Sequence, residues 1–160
     1  MNKKVYAKTM EEMLSDPQVR SMGKLTHHVC STTLSHSIYV TKTACRLAKV
    51  LHVKVHTKDL VRGCMLHDFY LYEYAKEDMT AYQHGTGHAA VALKNAGKHY
   101  DLTEIEQNMI YSHMWPLNIT HLPKYKESAL IVVADKYCAV VEFGRALRYR
   151  RQKRRADRAA

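Results

Sequence analysis

Leu60-Val61-Arg62-Gly63-Cys64-Met65-Leu66-His67-Asp68 is an apolar run that ends in two residues able to bind a metal. Read as a helix from Lys58 to His67, it turns Leu60, Val61, Cys64, Met65 and His67 largely inward. An ionisable side chain there costs free energy to bury unless it is paired or metal-bound. Neighbours on a helix point about 100° apart. His67 and Asp68 therefore reach one point only where the helix ends and Asp68 folds back, and Phe69-Tyr70 is consistent with such an end.

Outward from this run the pattern stays helical. From His36 to Leu51, Ile38, Val40, Ala44, Cys45, Leu47, Ala48 and Leu51 form an apolar face, with Ser35 as the predicted N-cap. Gly85 and Gly87 place His84 to His88 in a loop, followed by a helix from Ala89 to Ala96 that Gly97 closes. Thr103 with Glu106 is a capping box that opens a helix towards His113, and Pro116 stops it. Leu117 to Glu127 reads as a loop, and Ser128 then caps a final helix through Leu130, Val133, Tyr137 and Val141. The fold class is all-α, a single-domain bundle of at least five helices, with residues 1–20 a lead-in, 21–143 the domain and 144–160 a basic tail.

Composition narrows the class. A chain of 160 residues can bury a sizeable core without staples. The polar start from Met1 to Lys8 is no secretory leader, and no stretch approaches the roughly 18 apolar residues of a membrane span, so the expected setting is cytoplasmic. Cys30, Cys45, Cys64 and Cys138 are scattered without a C-x-x-C pair and read as reduced packing residues. The net charge of +10 is concentrated: from Arg145 onward eight Arg or Lys face one Asp, which leaves about +3 for the rest. Arg148, Arg150, Arg151, Lys153, Arg154 and Arg155 with Tyr149 suit a phosphate backbone, so nucleic acid is a possible partner of the tail; a solvated helix end is the alternative.

Eleven histidines exceed ordinary usage, and His52, His56, His99 and His121 lie among charged or loop residues, as expected of surface positions. His27 and His28 sit in a Ser/Thr-rich approach to the first helix. His36, His67, Asp68 and Asp135 differ, because they bring two imidazoles and two carboxylates from three helical runs. That mixed N/O set suits Mn, Fe, Co, Ni or Zn. His84, His88 and His113 either complete a second metal site bridged by Asp68 or donate directly to a phosphate. Tyr70, Tyr72, Tyr74, Met79 and Tyr82 either wall a cleft or form an oligomer surface.

In this order the residues resemble the HD-domain metal-dependent phosphohydrolase superfamily: His36-Ser37, then Leu66-His67-Asp68, then Ala134-Asp135-Lys136. His88-Ala89-Ala90-Val91-Ala92-Leu93 resembles the segment of its dinuclear members that opens with His-Pro, with Ala89 in the place of proline, and Ile110-Tyr111-Ser112-His113 resembles their next metal histidine. Leu66 to Tyr72, His113-Met114-Trp115-Pro116-Leu117 and Tyr125 to Cys138 are similar to small single-domain bacterial HD proteins, over roughly residues 20 to 143. The resemblance implies a helical bundle of the HD-domain type. It implies one or two divalent transition-metal ions (Mn, Fe, Zn, Co or Ni), the first held by His36, His67, Asp68 and Asp135, the second by Asp68, His88 and His113. A metal-activated hydroxide would then cleave a phosphate mono- or diester of a nucleotide or other small metabolite. In that reading Asp68 would bridge the ions, Lys136 would contact phosphate, and His84 would be a further ligand, a phosphate contact or the acid that protonates the leaving group. A nucleic-acid-binding or metal- or nucleotide-sensing module without turnover is the alternative.

Overall fold

Three threonines set the starts of three helices. The computed structural model describes residues 1–28, 31–72 and 78–159. Thr32 caps α3 (Thr33–Val50), Thr80 caps α5 (Ala81–His99) and Thr103 caps α6 (Glu104–Ser112), with Ser35, Gln83 and Glu106 closing the respective capping boxes. The other helices are α1 (Lys3–Ser15), α2 (Pro17–Ser21), α4 (Thr57–Leu66) and α7 (Lys126–Ala159). A 3-10 turn at Met22–Lys24 and a short antiparallel ribbon, β1 (Thr26–His28) with β2 (Ser31–Thr32), link α2 to α3. The chain is thus the expected all-α single-domain bundle, with seven α-helices among the described residues.

Four local expectations need correction. Ser35 is the third residue of α3 rather than its cap, because Thr32 takes that place. His84 to His88 lies inside α5 rather than in a loop: the Thr80–Gln83 box starts the helix three residues upstream of His84 and carries it through both glycines. Gly97 does not close α5, which runs on to His99. No described glycine has positive φ, so the left-handed stop that a terminal glycine supplies is not used. Ser128 is likewise not the cap of α7, which begins at Lys126.

The core lies where α3 packs on α4 and α7, and α6 packs on α4, α5 and α7. Val40, Leu60, Met65, Phe69, Ile110 and Ile131 are fully buried there. The N-terminal segment joins it, since α1 packs on α4 and buries Met10 and Met13. Gly63 brings α4 against α6: a Cβ at that position would lie 2.6 Å from Met109 Sδ. His56, the N-cap of α4, makes no side-chain cap; the buried Glu127 of α7 substitutes, accepting from the His56 N–H at 2.8 Å. These contacts fix both ends of α4 and hence the turn that carries His67 and Asp68.

Cys45, Cys64 and Cys138 are free and buried, as expected, whereas Cys30 and Tyr74 lie outside the described residues. His52, His56 and His99 are exposed, and His121 stacks on Tyr111 with ring centroids 3.8 Å apart. No described helix is long and apolar enough to cross a membrane. The basic tail does not break from the bundle but continues α7, whose 34 residues span about 51 Å.

Candidate metal centre

α4 ends at Leu66, and His67 is its C-cap in helical conformation. Asp68 follows within the turn 67–70, the folding-back that adjacent ligands require. The turn is held in place: the Tyr70 hydroxyl lies 3.1 Å from Thr33 Oγ1 at the start of α3, and Asn95 of α5 donates to the Tyr70 carbonyl at 2.8 Å. His113 is the equivalent residue of α6, its C-cap. His36 comes from α3, His88 from α5 and Asp135 from α7, so five helices converge. His36, His67, Asp68, His88, His113 and Asp135 are all buried.

The hydrogen bonds fix the tautomers. His67 Nδ1 donates to the Cys64 carbonyl, His88 Nδ1 to that of His84 and His113 Nδ1 to that of Ile110, each at 2.8 Å. A ring whose Nδ1 donates carries, when neutral, a lone pair on Nε2. All three Nε2 atoms face inward. Those of His88 and His113 are 2.8 Å apart, and Asp68 Oδ1 lies 3.2 Å from the first and 3.5 Å from the second. His67 Nε2 is buried without a hydrogen-bond partner, 3.5 Å from Asp68 Oδ2 and 3.8 Å from Asp135 Oδ1. Lone pairs converge on carboxylates, an arrangement that repels unless a proton or a metal ion lies among them.

His36 follows the same rule with a different outer partner. Its Nδ1 is 2.8 Å from Glu142 Oε2, and its Nε2 is 3.0 Å from Asp135 Oδ1 and 4.0 Å from Asp68 Oδ2. Asp68 therefore presents one oxygen to His36 and His67 and the other to His88 and His113. Two sets of donors, His36–His67–Asp135 and His67–Asp68–His113, each gather within 4.8 Å and could hold a metal ion. Ligands about 2.1 Å from one ion stand roughly 3.0 to 3.4 Å from each other, close to the separations found here.

In the ion-free protein, protons do part of the work. Burial alone lowers the His36 pKa, but the bonds to Asp135 and Glu142 and the charge of Asp68 prevail and raise it to about 10. Burial raises that of Asp135, yet His36 and His67 hold it well below the ordinary carboxylate range. Of the facing pair, burial also opposes charge on His88, but its contact with Asp68 raises it. His113, completely enclosed and beside His88 and His67, is pushed down to about 3.

A cavity of about 370 Å³ opens onto this cluster, lined by Asp68, His84, His88, His113, Asp135 and Lys136 among others. The expected catalytic positions thus reach the same space as the expected ligands. His84 stacks on His88 at 4.8 Å and its Nδ1 lies 2.9 Å from the Tyr72 hydroxyl. Lys136 donates from Nζ to the His113 carbonyl at 2.9 Å and stands 3.7 Å from Asp135 Oδ2. Of the aromatic surface, Tyr70 walls the cavity and Tyr82 is exposed. His27 and His28 have side chains outside the described set. Glu142 is the residue that sequence reasoning missed. It follows Asp135 by seven residues, two turns along one face of α7, and that spacing is the signal for it.

No protein-family model, curated protein or solved structure matches this chain.

Proposed function

We propose that this chain is a metal-dependent phosphohydrolase of the HD-domain type, acting on a phosphate mono- or diester of a nucleotide or other small metabolite. The observation that carries the reading is the set of inward Nε2 atoms around Asp68, which call for a cation at a cavity of about 370 Å³, large enough for a nucleotide-sized ligand. The order His36, His67-Asp68, Asp135 agrees with the HD resemblance.

The donor set fits divalent transition ions such as Mn or Fe, because it mixes imidazole nitrogen with carboxylate oxygen. His36, His67, Asp68 and Asp135 would hold one ion, and Asp68, His88 and His113 would hold a second. A bound ion supplies Lewis acidity towards phosphoryl oxygen and acidifies water. Lys136, at the cavity wall, offsets charge on the phosphoryl group. His84 lines the same cavity and, as an imidazole, can give a proton to the leaving oxygen. Tyr70, Met114 and Ala139 offer apolar surface to the organic part of the substrate.

The test begins with elemental analysis of untagged protein purified without added metal, followed by a screen of phosphomonoesters, nucleotides and phosphodiesters after loading with Mn or Fe. Between one and two ions per chain and turnover abolished in Asp68→Ala are expected. Failure to bind Mn, Fe, Co, Ni or Zn, or full turnover by metal-free Asp68→Ala protein, would remove this reading.

A further inference from the structure

The last third of α7 stands outside everything described so far. Every described side chain from Leu147 to Arg158 is exposed, so the bundle buries no residue of this stretch. It carries Arg148, Arg150, Arg151, Lys153, Arg154, Arg155 and Arg158 against Asp157 alone. None of these cations is ion-paired with another described residue; the one arginine just before them that is engaged, Arg145, lies 5.4 Å over the ring of Tyr39. Arg151, Arg154, Arg155 and Arg158 recur at three- and four-residue spacing and share one shallow concavity. Guanidinium groups held this close repel, which is stable only because water and salt screen them. A polyanion would relieve that repulsion.

We propose that this projecting helix binds the phosphodiester backbone of a nucleic acid. Three features choose that partner over an anionic membrane. The cations surround the helix instead of sharing it with an apolar face, and between Arg148 and Arg158 the only apolar side chains are Tyr149 and Ala156, so nothing could enter a lipid layer. Arginine outnumbers lysine six to one over that stretch, and its planar fork matches two oxygens of one phosphate. Phe143 and Tyr149, both more than half exposed, set aromatic rings beside the arginines, where unpaired bases can stack. The surface is independent of the metal centre and needs no turnover.

The experiment titrates the full chain into fluorescein-labelled 20-nucleotide single-stranded DNA, RNA of the same sequence and the DNA duplex, and follows anisotropy. A variant carrying Arg151→Ala, Arg154→Ala, Arg155→Ala and Arg158→Ala is compared throughout; alanine keeps the helix, and circular dichroism with bound-metal content checks that the bundle is intact. For four neutralised phosphates, affinity should fall roughly 50- to 150-fold between 50 and 200 mM salt. The variant should show about half the salt slope, since it keeps half of the cations from Arg145 onward. DNA and RNA arms binding alike would point to backbone recognition; a preference for single strands would add stacking. No binding at about 10 µM in 50 mM salt, equal binding by the variant, or tighter binding to phosphatidylserine vesicles or polyglutamate than to any oligonucleotide would overturn the proposal.

Discussion

Between Lys126 and Ala146, α7 packs on α3 and α6 and buries Ser128, Ile131, Ala134, Asp135, Cys138 and Glu142; from Leu147 to Arg158 every residue of the same helix is exposed. The near part can hold two carboxylates out of water because other elements bring histidines to them: His36 from α3 meets both Asp135 and Glu142. The far part carries its charges in solvent, and its helicity rests on local propensity. Arginine, alanine, glutamine and lysine are good helix formers, and a helix already nucleated by the bundle extends without paying for nucleation. One element thus separates two ways of keeping charge on a protein, paired inside or screened outside, and each makes different substitutions costly.

The largest effect is expected at Asp135, where the near part meets the cluster. Asp135→Ala takes an oxygen from beside both His36 and His67 and should weaken Mn or Co binding by more than about a hundred-fold, read by equilibrium dialysis with metal analysis. Unchanged affinity would mean that the buried acids of α7 serve packing alone. Glu142 acts one step further out, holding the His36 ring with its Nε2 aimed inward. Glu142→Ala should cost between about 10- and 100-fold in affinity, whereas Glu142→Gln, which can still accept from Nδ1, should recover most of it. Equal losses in the two variants would assign Glu142 a bulk structural role, and the Co(II) absorption spectrum of the Gln variant gives a second reading of ligand geometry.

The pH dependence should separate the ion-free from the metal-loaded protein. His36 has a raised folded-state pKa of about 10, so its contribution to ion-free stability is fully present below the ordinary value of 6.5 and is lost as pH rises through about 10. The ion-free Tm should therefore decline over that window. A metal ion must displace the proton on His36 Nε2, so affinity should strengthen about tenfold per pH unit through the same range, with about one proton released per ion bound at the His36 side. Calorimetry in buffers of different ionisation enthalpy counts that proton. Metal binding without proton release would show that the ligand set excludes His36.

Much of the cluster could be read from the chain because its members sit at helix ends. Leu60 to Leu66 is apolar enough to mark α4, and the Thr103–Glu106 box marks α6, so His67, Asp68 and His113 could be placed at the C-terminal ends of those helices. The segment from His84 to His88 resisted reading: two glycines in five residues mimic a loop, while the box that overrides them lies upstream at Thr80 and Gln83. Glu142 escaped for another reason. A lone carboxylate between Val141 and Phe143 looks solvated until α3 supplies His36 on that face, and which face α7 turns inward is a tertiary fact. The helices α1 and α2 were missed because their polar residues mask the few that are buried, such as Met10, Met13 and Val19.

The same chemical change made twice on α7 gives the finest test of the contrast. Ala134 is fully buried and Ala156 is exposed. Ala134→Gly loses about 1 kcal/mol of helix propensity and about 0.8 kcal/mol for one buried methyl, so the bundle should unfold at lower urea by roughly 2 kcal/mol of stability. Ala156→Gly incurs the same propensity loss, but only the projecting stretch bears it. That stretch can fray without disturbing a single core contact, so the urea midpoint followed by Trp115 fluorescence should stay within error while far-UV ellipticity drops slightly. A midpoint shift in Ala156→Gly close to that of Ala134→Gly would mean that the far part of α7 folds as one cooperative unit with the bundle, and the distinction between paired and screened charge would then lose its structural basis.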